Sequence, residues 1–111
     1  MRAGQKLHTA AEFDRARRSR ERHGDALFIV QYAANDTASA RLGMAVGARV
    51  AGNAVNRNRL RRLIRESFRV YRQEMPAVDV LVTARAAAAT AKNREVFESL
   101  AKLWSLIGAA K

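Results

Sequence analysis

The chain has 111 residues and carries 21 Lys+Arg against 10 Asp+Glu, a net charge of +11, with 49% hydrophobic and 28% charged residues. One domain spanning residues 1–111 fits that length, and the composition supports a core rather than wholesale disorder, although 23 of the residues are Ala. The absence of Cys excludes disulfides, thiolate metal sites and thiol catalysis; no apolar run approaches a membrane span, and no apolar stretch follows Met1–Lys6, so a soluble cytoplasmic protein without a secretion signal is expected.

Thr9-Ala10-Ala11-Glu12 reads as a capping box opening a helix over about 10–22. Its apolar face is thin (Ala10, Phe13, Ala16), and its far end holds Arg15, Arg17, Arg18, Arg20 and Arg22. Cations there suit the helix macrodipole, so part of this run needs no ligand. His23-Gly24-Asp25 reads as a stop and turn, and residues 26–33 as a strand rich in aromatic and β-branched side chains. A loop over 35–39 leads to a second strand, Arg41–Val46, expected as the first strand's hairpin partner. Asn53 or Asn56 caps a central helix that runs to about Glu74 and ends before Pro76. Val78–Ala84 is a third strand. A last helix carries Val96, Phe97, Leu100, Leu103, Trp104 and Ile107 at the spacing of a buried stripe. The order α-β-β-α-β-α predicts an α/β fold, an α+β sandwich with one small sheet. General chirality makes its strand–helix–strand crossover right-handed.

The positive charge is gathered. Residues 57–72 contain seven Arg and one acid, Glu66. At 100° per residue, Leu60, Leu63, Ile64, Ser67, Phe68 and Tyr71 form the face that packs on a sheet. Arg57, Arg61, Arg65 and Arg72 lie along an adjacent face, with Asn58, Arg62 and Arg69 beside them. Like charges at i,i+4 repel by a few tenths of a kcal/mol each, roughly, and Arg57–Arg61–Arg65 stacks that penalty. A polyanion offsets it, and Arg suits bidentate contact with phosphate.

Protein-borne catalysis finds little support. Gly47-Ala48-Arg49-Val50-Ala51-Gly52 sits where a phosphate loop would, but Asn53-Ala54 follows where nucleotide hydrolysis needs Lys and Ser/Thr. Free N–H groups at that helix start still suit a backbone phosphate. His8 and His23 lack Ser or acidic partners at a recognisable spacing. Asp14, Asp25, Asp36, Glu66 and Asp79 are scattered, without the cluster a two-metal nuclease needs, so no catalytic and no metal-ligating residue is assigned.

Arg41-Leu42-Gly43-Met44-Ala45-Val46, followed by Gly52-Asn53-Ala54-Val55-Asn56-Arg57-Asn58-Arg59-Leu60-Arg61-Arg62-Leu63-Ile64-Arg65-Glu66-Ser67-Phe68-Arg69, resembles the protein component of bacterial ribonuclease P. Asp79–Arg85 and Leu7…Glu12-Phe13 also look like that family, so the likeness runs from about Lys6 to Trp104. It implies a small mixed sheet with a left-handed crossover through the Arg-rich helix, against the general rule. It implies an RNA-binding subunit of a holoenzyme that removes the 5′ leader of precursor tRNA. The chemistry would rest with a catalytic RNA and with Mg²⁺ held mainly by that RNA and the substrate. The implied partners are the catalytic RNA and precursor tRNA, with no membrane and no small-molecule substrate.

By match, Arg57, Asn58, Arg59, Arg61, Arg62 and Arg65 take the RNA-contact role, with Arg69 and Arg49 added beside them. Phe13 takes a place in a leader-binding cleft, where an aromatic ring is a sequence-tolerant stacking surface. Arg17 stands where many members have a second aromatic, which makes the cleft more electrostatic. Gly47-Ala48-Arg49 stands where many read Ser-Lys-Lys. The aromatic contributed by the first strand is Phe28 or Tyr32, which share strand parity. Two other readings fit the charge: a ribosomal-protein-like RNA-binding module with no enzyme attached, and a nuclease whose chemistry is its own.

Overall fold

The structure, a computed structural model, describes residues 10–35, 37 and 39–109. Leu7, His8 and Thr9, with the capping role expected of Thr9, lie outside them. The strand Val78–Ala84 (called β4 from its place in chain order) decides the layout. Its sequence VDVLVTA is buried at every position but Thr83. A strand buried on both faces belongs in the middle of a sheet. It pairs antiparallel with β2 (Phe28–Ala34) and parallel with β3 (Arg41–Ala45). β1 (Arg22–Gly24) completes the order β1-β2-β4-β3. The expected hairpin between the first two long strands is therefore corrected: β4 lies between them.

β1 also replaces part of the turn expected at 23–25. Arg22, His23 and Gly24 pair with Gln31, Val30 and Ile29. The reversal sits just beyond, where the Asp25 carboxylate accepts from the N–H groups of Leu27 and Phe28 at 2.9 and 3.0 Å. α1 (Ala10–Arg18) stops short of the expected residue 22. The reason is local. The Ser19 hydroxyl donates to the Tyr32 carbonyl, and Tyr32 N–H donates to the Glu21 carbonyl, which pulls the chain onto β2.

The stretch expected as a Gly47–Gly52 loop holds a single helical turn, α2 (Ala48–Ala51). Gly52 at φ 87° lets the chain reverse into α3 (Ala54–Tyr71). Of the two candidate caps Asn53 serves, accepting from Asn56 N–H at 2.8 Å. A short 3₁₀ turn (Arg72–Glu74) ends the segment, a second (Ala86–Thr90) follows β4, and α4 (Asn93–Ala109) closes the fold.

α3 and α4 cover one face of the sheet. Leu60, Leu63, Ile64 and Phe68 meet Phe28, Val30, Val80 and Val82 from the sheet and Leu100, Leu103, Trp104 and Ile107 from α4. Phe68 and Trp104 pack edge to face at 5.8 Å, and the Trp104 indole donates to the buried Ser67 hydroxyl at 2.8 Å. Phe97, expected in the stripe of α4, is instead 36% exposed. The sheet's opposite face carries α1 and a smaller cluster of Ala16 and Leu81, with Phe13 and Ala45 at its margin.

Candidate nucleic-acid interface

Two regions carry the basic side chains. The first is α3, fixed by its apolar flank and turned so that its arginines run beside β3, the edge strand. Arg57 Nε donates to the Val46 carbonyl at 2.9 Å. Arg72 Nε donates to the Ala40 carbonyl at 3.2 Å, and its terminal nitrogen to the Ser39 hydroxyl at 2.6 Å. These two residues clamp the helix to both ends of β3. Between them stand Arg61 and Arg65, half-buried, with Asn58, Arg62 and Arg69 exposed further out.

Ion pairs among the described residues involve Arg15, Arg41 and Arg94 and no arginine of α3. Arg61, Arg62, Arg65 and Arg69 also donate no side-chain hydrogen bond there, whereas Arg57, Arg59 and Arg72 do. Arg49 is exposed on α2, close in sequence to the start of α3.

Arg59 stands apart. Its Nε donates to the Asn56 side-chain oxygen at 2.8 Å, and a terminal nitrogen donates to the Asn93 side-chain oxygen at 2.7 Å. It is turned toward the start of α4, away from Arg61 and Arg65. Asn56 is its brace, because its own amide nitrogen is fixed by the Ala51 and Ala89 carbonyls, each at 2.8 Å.

The second region is the sheet face under α1. Alternation along the strands places Ile29, Gln31 and Ala33 of β2 on that side, opposite Thr83, Leu81 and Asp79 of β4, followed by Arg41, Gly43 and Ala45 of β3. Phe13 is half-buried against the Ala16–Leu81 cluster, as is Ala45, and Arg17 is exposed one turn later. Phe28 and Tyr32, the two candidates for a cleft aromatic, both point the other way, into the main core, at 0% and 7% exposure. Neither presents its ring to the sheet face under α1. Their shared parity is right, but it is the parity of the α3–α4 side. Only the tip of Tyr32 reaches outward, to His23 Nε2 at 3.3 Å.

Sequence reasoning gave Asp79 no role, yet it is the centre of the second region. Its side chain is 0% exposed. It accepts from Arg41 Nε at 2.8 Å, from Arg41 again at 2.9 Å, from Arg15 at 2.6 Å and from the Asn35 amide at 2.9 Å. Arg41 donates in addition to Glu12 at 2.8 Å. Burial pushes the Asp79 carboxyl up, but the bonds from Arg41, Arg15 and Asn35 outweigh it and hold the group below the ordinary 3.8. The signal was present in the sequence: a carboxylate inside Val78-Asp79-Val80 is a buried charge that needs partners.

No group of three or more His, Cys, Asp or Glu side chains that could hold a metal ion lies among the described residues.

A family model described as Ribonuclease P matches residues 1–108. The chain is 35% identical over 102 residues to the ribonuclease P protein component of Coxiella burnetii, covering 92% of this chain and 84% of that protein. It is 42% identical over 81 residues to that of Thioalkalivibrio sulfidiphilus, covering 73% and 68%. Among solved structures, an RNase P protein from Staphylococcus aureus superposes with a TM-score of 0.84 at 29% identity, covering 91% of this chain and 93% of that one. The RNase P protein from Thermotoga maritima gives 0.81 at 26% identity, covering 93% and 97%.

Proposed function

The chain belongs to the ribonuclease P protein family, and from that premise we propose that it binds the catalytic RNA of ribonuclease P and the 5′ leader of precursor tRNA, assisting removal of the leader. The observation that carries the reading is the ridge on α3. Among the described residues Arg61, Arg62, Arg65 and Arg69 meet no carboxylate, while Leu60, Leu63, Ile64 and Phe68 pin the same helix to the sheet. A row of guanidinium groups on a helix that is itself pinned is well placed to meet phosphate. In this reading Arg61, Arg62, Arg65, Arg69 and Asn58 contact the RNA backbone, with Arg49 beside them. Arg57 turns its terminal nitrogens, unbonded among the described residues, to RNA while its Nε holds Val46. Arg59 reaches RNA from the start of α4.

The leader lies on the face under α1, where Phe13 supplies a stacking surface and Arg17 a phosphate contact. Ile29 and Thr83 take the place on the sheet that Phe28 or Tyr32 was expected to fill. Bond cleavage rests with the RNA subunit, and Mg²⁺ is held mainly by that RNA and the substrate. No described helix is long and apolar enough to cross a membrane.

The test is cleavage of precursor tRNA at low Mg²⁺ by a bacterial catalytic RNA, with and without the protein. Stimulation is expected, and the protein alone should leave the substrate intact. An RNA subunit that gains nothing from the protein returns the chain to an RNA-binding module with no enzyme attached. Cleavage by the protein alone makes it a nuclease in its own right.

A further inference from the structure

We propose that Asp79 is the positioning residue of the leader cleft: it sets where α1 sits over the sheet, and so where Phe13 and Arg17 meet a single strand. The proposal rests on the cleft reading above and goes past it, since Asp79 touches no RNA in it.

α1 has nine residues, too few to be stable alone. Its apolar grip is small: Ala16 is fully buried, Phe13 only partly, and the main partner beneath is Leu81. Around Leu81 the sheet offers little apolar relief to fix a register, for Ala33, Gly43 and Ala45 lie near it on that face, and Gln31 reaches only the end of the helix, donating to the Arg17 carbonyl at 2.8 Å. An apolar contact this small and smooth is non-directional and would tolerate sliding or rolling of the helix.

Gln31 and Ser19 tie only the C-terminal end of α1 to β2, and the ionic node removes the freedom that remains over Glu12–Arg15. Glu12 and Arg15 lie three residues apart on one face of α1, with opposite charge. Glu12 meets Arg41 at 2.8 Å, and Arg15 meets Asp79 at 2.6 Å. The sheet presents the complementary order, because Arg41 and Asp79 are register partners on adjacent strands and already hold each other at 2.8 Å. Rolling α1 by one residue turns it about 100° and breaks both ties. Sliding it by one turn brings like charges together. Asp79 is the member on which the rest depends: fully buried, it fixes Arg41, which in turn faces Glu12, and it takes Arg15 directly. Buried ion pairs serve such registry better than they serve stability. Arg15 is 45% exposed, so this tie is open to solvent from the cleft side.

The experiment uses the reconstituted holoenzyme and two precursor tRNAs, one with a leader of several nucleotides and one with a single-nucleotide leader. The readout is the ratio of their affinities, with affinity for the catalytic RNA measured in parallel and α1 followed by hydrogen exchange of its amides. Asp79→Asn and Arg15→Gln should each cut the long-leader preference by roughly five- to tenfold, about what one lost stacking contact gives. Both should speed exchange in α1 and leave affinity for the catalytic RNA unchanged. Arg15→Lys should restore the preference, because the Arg15–Asp79 contact uses one nitrogen. If Asp79→Asn does not fold, Arg15→Gln and its Lys rescue decide. If the preference survives in folded Asp79→Asn and Arg15→Gln while Phe13→Ala loses it, the cleft stands and Asp79 does not position it. An equal loss for both substrates likewise overturns the proposal, as a general defect. If Phe13→Ala keeps the preference as well, the cleft reading itself fails.

Discussion

On the α1 side of the sheet, Arg15 and Arg41 meet carboxylates at 2.6–2.8 Å. On the α3 side, the arginines meet backbone carbonyls, side-chain amides, a hydroxyl, or nothing within the described residues. The residue type is the same, and the difference lies in the acids supplied. β4 and α1 bring Asp79 and Glu12 to their arginines, whereas α3 offers only Glu66 among seven arginines at 57–72. Charge that is neutralised internally builds structure. Charge left over on a rigid frame is available to a partner. Net charge alone does not distinguish the two, and the contrast between the regions does.

The largest effect expected is on the foundation of the ridge. Phe68 is 0% exposed and packs on Trp104. Phe68→Ala should cost about 3–5 kcal/mol in urea unfolding. RNA binding should fall with the folded fraction and recover under conditions that restore folding. A loss of binding without a loss of stability would mean that Phe68 is not the anchor described.

Next comes the internal node. Asp79→Asn removes the charge that Arg41 and Arg15 share and leaves a 13%-exposed guanidinium with only Glu12 as an acid partner among the described residues. The expected cost is about 3 kcal/mol, less than for a fully enclosed pair because Arg15 reaches solvent. Its pH dependence has a definite sign. The folded carboxyl lies below its ordinary 3.8, so the stabilisation is fully present above that value and is lost as pH falls through the folded pKa. Wild-type and Asp79→Asn stabilities, compared in urea from neutral pH downward, should therefore converge in acid. A gap that stays constant into strong acid would remove the carboxylate from the explanation.

Much of this was legible in the chain. The 3.6-residue pattern on α3 named its buried face: Leu60, Leu63, Ile64, Ser67 and Phe68 are all buried. The stripe on α4 was nearly as clear, with Phe97 alone at the rim, because helical spacing fixes direction but not how far a neighbour extends. Strand order was not legible, since it depends on which strand is buried on both faces, and VDVLVTA carries a carboxylate that masks this property. The face taken by Phe28 and Tyr32 was open for a related reason. Strand parity says which residues point together, while the choice of side depends on where α3 and α4 pack. The role of Asp79 depends on Arg15, Arg41 and Asn35, which lie 38–64 residues away in sequence and form no catalytic spacing with it. The 100° period already turns Arg59 away from Arg61 and Arg65, but its partner Asn93, 34 residues away in sequence, was out of reach.

The smallest change in stability, and the clearest split between the regions, is expected on the ridge. Arg61 and Arg65 are half-buried, so Gln is the better replacement: it keeps much of the aliphatic stem and removes the charge. The double variant Arg61→Gln, Arg65→Gln removes three like-charge i,i+4 pairs, with Arg57, between the two, and with Arg69. Each relieves a few tenths of a kcal/mol, so stability should hold or rise by roughly 0.5–1 kcal/mol. RNA affinity should move the other way. If each guanidinium neutralises one phosphate, the slope of log affinity against log salt should shrink by about 1.4–1.8. Asp79→Asn should do the reverse, losing stability while keeping the salt slope of catalytic-RNA binding. Should the ridge variant lose stability and keep its slope, Arg61 and Arg65 would belong with Arg15 and Arg41 as structural charges, and the division between the two regions would not hold.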